Sequence, residues 1–203
     1  MSDSTRLAEQ QLARMRGMTG LYHKQFFRDI TATTLLTLAL FVVAWWQVPQ
    51  AFLLIPVVAL IGAVQTAFDS SYLIFARWYA AYLEGYLNDR AGERILVAAS
   101  LESTYLFPLG SRKVVTIPLG GGFSWFSLVT VLYTVIGATA YLFGLVLGWD
   151  VLSAASATIQ ILYLVPLIGL TVAVLGFGMW WFVGGEGERR LEVVLDTEFG
   201  RKQ

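Results

Sequence analysis

Apolar and polar positions fall into long blocks along the chain. Residues 30–47, 51–75, 123–149 and 157–185 are apolar runs, each near or above the roughly 20 residues an α-helix needs to cross a bilayer. A buried soluble core could produce one such run. Four of them predict an all-α integral membrane protein with four transmembrane helices in a single membrane domain. The expected layout is an amphipathic helix over 4–28, spans over 29–47 and 51–89, a polar segment over 90–122, spans over 123–149 and 157–185, and a tail over 186–203.

The second block outlasts its apolar run. In "AFDSSYLIFARWYAAYLEGYLND", Phe68, Tyr72, Phe75, Tyr79, Tyr82 and Tyr86 recur at 4, 3, 4, 3 and 4, an aromatic row on one side of a continuous helix. Ser70, Arg77, Glu84 and Asn88 fall roughly opposite it and read as a solvated face. A helix from Ala51 to Asn88 would be roughly 57 Å long, against a hydrocarbon core of roughly 30 Å. Either its last turns project into the cytoplasm, or the helix bends and lies along the interface.

The N-terminal block repeats the spacing. Ala8, Leu12, Met15, Thr19, Tyr22 and Phe26 recur at 4, 3, 4, 3 and 4, with Arg14, Arg16 and Lys24 elsewhere, while Gly17 and Gly20 weaken the middle. Pro49 marks a tight turn between the first two spans. The two helices then pair as an antiparallel hairpin extending into the cytoplasm, with a seam of Leu12, Met15, Tyr22, Tyr72, Phe75, Tyr79, Tyr82 and Tyr86. An interfacial helix lying on the anionic leaflet is the alternative for 4–28. Short β-branched runs predict a small cytoplasmic β element from 95–99, 113–118 and 191–196, the last of which also fits a short helix.

Small residues line the later spans. Gly137, Ala140, Gly144 and Gly148 in the third, and Gly169, Ala173 and Gly176 in the fourth, permit close backbone approach. The approach is either intramolecular or between subunits. Pro166 predicts a kink in the fourth span.

Charge adds orientation. Of 14 Lys and Arg, all lie before the first apolar run, between the second and third, or after the fourth; "WQVPQ" and "GWDVLSAASA" contain none. The positive-inside bias places both termini and the central segment in the cytoplasm, in a plasma-membrane protein. A net charge of zero gives no reason to expect nucleic acid. Cysteine is absent, which removes disulfides and thiol chemistry. No cleavable signal peptide is expected.

Candidate chemistry is sparse, and no cofactor is expected. The single histidine, His23, cannot build a His metal cluster and reads as interfacial. No GxSxG, HExxH or Walker frame occurs. Glu84 with Asp89 and Glu93, and Glu186 with Glu188, read as solvated carboxylates. Gln65 and Asp69, four apart on one face of the second span, form the candidate polar site. Asp69 sits either at the inner headgroup boundary, paired with Lys24 or Arg28, or inside the bilayer, where it would mark an ion or proton path.

These features favour a non-enzymatic membrane protein that assembles as a homo-oligomer or with partner subunits, forming an ion-conducting or membrane-perturbing assembly. A small-solute or proton-coupled transporter is the alternative, although four spans are few and no internal repeat is evident. A membrane-embedded lipid enzyme would need a richer His, Asp and Glu cluster.

Overall fold

A computed structural model of the chain describes residues 3–199; Arg201 and Lys202 of the basic tail lie outside the described residues. The elements are α1 (Asp3–Trp46), a 3-10 turn (Pro49–Leu53), α2 (Leu54–Ala91), α3 (Ala98–Tyr105), β1 (Lys113–Val114), β2 (Ile117–Pro118), α4 (Trp125–Ser153), α5 (Ala157–Gly178), a π-helical turn (Met179–Val183) and α6 (Glu186–Phe199). Four helices are long and apolar enough to cross a membrane: α1, α2 with its preceding turn, α4, and α5 with its π turn. The fold is all-α apart from one two-residue antiparallel hairpin.

α1 and α2 form the frame, an antiparallel pair turning at Pro49. α1 is unbroken through Gly17 and Gly20, because Met15 and Thr19 beside them are held on the buried face and tertiary packing outweighs helix propensity. The row on α1 that faces inward is the one its spacing announces: Ala8, Met15, Thr19, Phe26, Ile30 and Thr37 are buried.

On α2 the contact row is a different one. Gly62, Asp69, Leu73, Ala76, Ala80, Leu83 and Leu87 are buried, and with Thr66 they step by 4, 3, 4, 3, 4, 3 and 4. That row is the aromatic row shifted by one residue, a rotation of about 100°. Steric bulk explains the shift. Ala76, Ala80 and Gly62 let the two backbones approach, whereas a row of rings would hold them apart. The space at Gly62 is so small that a Cβ there would run into the Thr33 side chain.

The aromatics flank the contact instead. Tyr72 stacks on Tyr22 with centroids 5.1 Å apart. The Tyr79 hydroxyl donates to Gln11 Oε1 at 2.9 Å. Phe75, Tyr79 and Tyr86 border a cluster of Ala8, Met15, Ala80, Leu83 and Leu87, together with Leu12. Tyr82 is buried, and its hydroxyl bonds Asp196 of α6.

The segment after α2 departs from the expected β element. Gly92 in the left-handed conformation (φ 73°) ends α2. Residues 95–97 are irregular and 98–105 form α3, so 95–99 is no strand. The Asn88 side chain takes the backbone groups a partner strand would use. Its Oδ1 accepts from the N–H groups of Ile95 and Leu96, at 3.0 and 2.8 Å, and its Nδ2 donates to the Leu96 carbonyl at 2.8 Å. Residues 191–196 belong to α6, where Glu186 binds Arg189 and Arg190 three and four residues on and Leu195 packs inward. Only 113–118 folds as β structure.

α4 packs on the opening turns of α2 through its small residues. A Cβ on Gly144 would lie 2.8 Å from Pro56 Cδ and 2.9 Å from Ile55 Cβ, and one on Gly148 would lie 2.8 Å from Leu53 Cδ2. Ala140 is buried in the same layer with Ala44, Ala51, Phe52 and Ile55. α5, which runs on through Pro166, buries Leu167 alone. Cβ atoms on Gly137, Gly169 or Gly176 would meet nothing within 4 Å.

The α4 contact gives a direct test. Gly144→Leu must displace a proline ring and a β-branched carbon, so thermal unfolding in detergent is expected to show a loss of about 1–3 kcal/mol. Gly137→Ala, with open space around it, is expected to stay within about 0.5 kcal/mol of wild type or to gain slightly from helix propensity.

Candidate functional site

Three features converge on α2: a buried ionic network at the charged end of the bundle, the Gln65–Asp69 pair above it, and a hydroxyl-lined cavity between the spans. The network starts from side chains that the alternation of polar and apolar residues assigns to solvent. Arg77 is 1% and Glu84 4% exposed, because α3 and the polar loop cover that face of α2. Glu84 pairs with Arg16 of α1 and accepts the Ala99 N–H at the start of α3, at 2.9 Å. Arg16 also pairs with Glu102 of α3, and Arg77 Nε donates to Glu102 Oε2 at 3.3 Å. Two arginines and two glutamates thus tie three helices together.

The Arg77 guanidinium lies over the Phe107 ring, 4.3 Å from its centroid. Its two terminal nitrogens are buried without a hydrogen-bond partner among the described residues. The ring face supplies part of the missing solvation, since an arginine over an aromatic face is attracted by its quadrupole. Lys113 of β1 is a parallel case: it is 1% exposed, bonds Glu188 of α6 at 2.7 Å, and donates to the carbonyls of Ser111 and Pro108. Burial lowers its pKa while Glu188 raises it. Across the network three cations face three carboxylates, which satisfies the requirement that buried charge be paired.

Asp69 has no exposed surface. Gln65 Nε2 donates to its Oδ1 at 3.3 Å, while Oδ2 and the neighbouring Ser70 hydroxyl have no hydrogen-bond partner among the described residues. Asp69 lies within electrostatic reach of Asp29 and Arg28 across the helix pair, but Arg28 bonds Asp29, at 2.6 Å, rather than Asp69. His23 stacks among rings, with centroids 5.2 Å from both Phe27 and Phe126. Burial and then the charge of Arg77 lower its pKa from the ordinary value, which favours the neutral imidazole.

The cavity has a volume of about 490 Å³ between α1, α2, α4 and α5. Thr33, Thr34, Thr37, Thr66, Thr130, Thr134 and Thr171 line it with Tyr133 and Tyr141. Most of these hydroxyls donate to the carbonyl four residues back, as Thr33 does to Asp29 at 2.9 Å and Thr66 to Gly62 at 2.7 Å. These hydroxyls are thus turned back onto their own helices, and most of the surface that the cavity presents is apolar. Val114 and Val115 of the β1–β2 hairpin also line the cavity. Val115 has φ 59°, a strained setting for a β-branched residue. Thr116 behind it is fully buried, bonding Thr130 at 2.9 Å and accepting from Ser127 at 3.2 Å.

Gly137 and Ala140 of the packing set also line this cavity, whereas Gln65 and Asp69 are not among its lining residues. Sequence reasoning missed the ionic network and the hairpin at the cavity wall. The one local signal for the network was the strict opposition of Arg77 and Glu84 to the aromatic row. Among the described residues no group of three or more His, Cys, Asp or Glu could hold a metal ion.

The network predicts a stability effect at a residue that reads as surface. Glu84→Ala strands Arg16 and removes the N–H acceptor at the start of α3, an expected loss of about 3 kcal/mol by chemical or thermal unfolding. Asp89→Ala on the exposed last turn is expected to change stability by about 0.5 kcal/mol or less. No protein-family model, curated protein or solved structure matches this chain.

Proposed function

We propose that the protein is a non-enzymatic plasma-membrane protein, with both termini in the cytoplasm, that associates with itself through α5 into an ion-conducting or membrane-perturbing assembly. The observation that carries this reading is the state of α5. A span of 22 residues buries one side chain, Leu167, and its Gly169 and Gly176 have no neighbour within 4 Å of a built Cβ. In lipid, helix association relies on close packing rather than on a hydrophobic drive, and small residues are what permits it. The equivalent residues Gly144 and Gly148 are already engaged within the chain; those of α5 are left for a second copy.

Conduction draws on the cavity that the threonines border and, on the neighbouring face of α2, on Asp69, whose Oδ2 has no hydrogen-bond partner among the described residues. A second reading, a small-solute or proton-coupled transporter, draws on the same cavity, because its lining comes from a single chain.

Mass measurement in nanodiscs separates the two. The wild type is expected to be oligomeric and the double variant Gly169→Leu, Gly176→Leu monomeric. A monomeric wild type would sink the assembly reading and favour the transporter. In reconstituted vesicles Asp69→Asn is expected to lower ion flux about tenfold, as removal of an intramembrane charge on the path should; unchanged flux would leave Asp69 a structural role. Orientation is read by thiol labelling of the cysteine-free chain, with Gly17→Cys expected to react from the cytoplasm and Ser153→Cys from outside.

A further inference from the structure

A second cleft, of about 780 Å³, separates α2 from the end of α5 and the start of α6. Its long walls are apolar: Val64 and Phe68 on one side, Ala173 and Phe177 on the other. The π-helical turn carries the chain from α5 into α6, and Trp181 Nε1 reaches back to Ser71 Oγ at 3.2 Å, so the helices touch at the foot of the cleft while its walls stay apart. The volume lies within the roughly 300–1,000 Å³ of ligand sites. Both walls belong to helices apolar enough to span a bilayer, so the medium beside the cleft is acyl chain.

The polar end of the cleft carries Lys113, Glu188 and Arg190. Lys113 is already committed to Glu188 and two backbone carbonyls. Arg190 is different. It shares one carboxylate, Glu186, with Arg189, each at 2.7 Å, so two cations stand on a single anion and carry one positive charge in excess of it. Its side chain is 59% exposed and lies over Trp180 and Trp181, 5.4 and 5.9 Å from their centroids. Tryptophan is the residue that concentrates at the headgroup level, and arginine matches phosphate oxygens with charge-assisted hydrogen bonds.

An apolar slot open to acyl chains and ending in one excess cation at a tryptophan pair complements one molecular class. We propose that the cleft holds an acyl chain of an anionic phospholipid, with its phosphate on Arg190. All of the walls belong to one chain, so the site does not depend on self-association.

The test is lipid retention by the full chain. The protein is reconstituted into mixed vesicles of phosphatidylcholine and phosphatidylglycerol, extracted in mild detergent, and its bound lipids are counted by native mass spectrometry. Wild type is expected to retain phosphatidylglycerol in preference to phosphatidylcholine. Arg190→Gln, at a surface position that folding tolerates, is expected to weaken that preference about tenfold. Ala173→Phe and Val64→Phe, which fill the cleft from opposite walls, are expected to lose both lipids. The proposal is overturned if wild type retains no lipid or shows no preference, or if Arg190→Gln behaves as wild type.

Discussion

The rest of the structure depends on the pairing of two helices that are longer than the membrane is thick. α2 has 38 residues, roughly 57 Å at the usual rise, and a bilayer offers hydrocarbon over roughly 30 Å. One continuous helix must therefore be solvated in two ways along its length. Within the apolar stretch the lipid suffices, and the partner helix needs only small residues to come close. Beyond it the same helix loses its lipid, and its sides must be covered by protein or water. α1 covers one side over the whole length, because both helices keep a 3.5-residue repeat. The remaining sides recruit α3, the loop with its hairpin, and α6.

The ionic network is what that recruitment looks like in chemical terms. Arg77 and Glu84 would be ordinary residues on an exposed helix, but here they are covered, and covering a charge is tolerable only if it is paired. Each partner comes from a different element: Arg16 from α1, Glu102 from α3 and, for Lys113, Glu188 from α6. Removing any one element would leave a buried charge behind. The network therefore specifies which elements assemble at this end of the bundle more than it adds net stability, since a buried ion pair often contributes little against an apolar replacement while losing one partner costs several kcal/mol.

This division explains what could be read along the chain. The four spans follow from composition over windows of about 20 residues, and the α1 contact row follows from its spacing, both local properties. The contact row on α2 was displaced by one residue because periodicity alone ranks rings above alanines. Interhelical distance, which Ala76 and Ala80 set, is a property of two helices. Residues 95–99 have strand-like composition, but Asn88 captures their backbone groups, and no window centred on residue 97 contains that fact. The burial of Arg77 is non-local in the same way. Gln65 and Asp69 could be singled out as polar residues on one face; that Asp69 comes within electrostatic reach of Asp29 could not.

α5 is the opposite case, a span held by a few polar contacts; midway along it Thr171 shares a hydrogen bond with Tyr141 of α4, at 2.9 Å. At one end the Tyr163 hydroxyl donates to the Leu53 carbonyl at 2.7 Å; at the other Trp181 bonds Ser71. Between them a cavity lies on each side, and Ala67, Val174, Gly178 and Phe182 border both. With no hydrophobic drive between helices in lipid, the position of α5 is set largely by the π turn and by α6 beyond it. α6 is joined to α2 through Asp196 and Tyr82 and to the hairpin through Glu188 and Lys113. The hairpin in turn lines the cavity beside α5 with Val114 and the strained Val115. α6 therefore touches both the element that continues from the least packed span and the hairpin at the cavity wall, which makes it the element that links the charged end of the molecule to its interior.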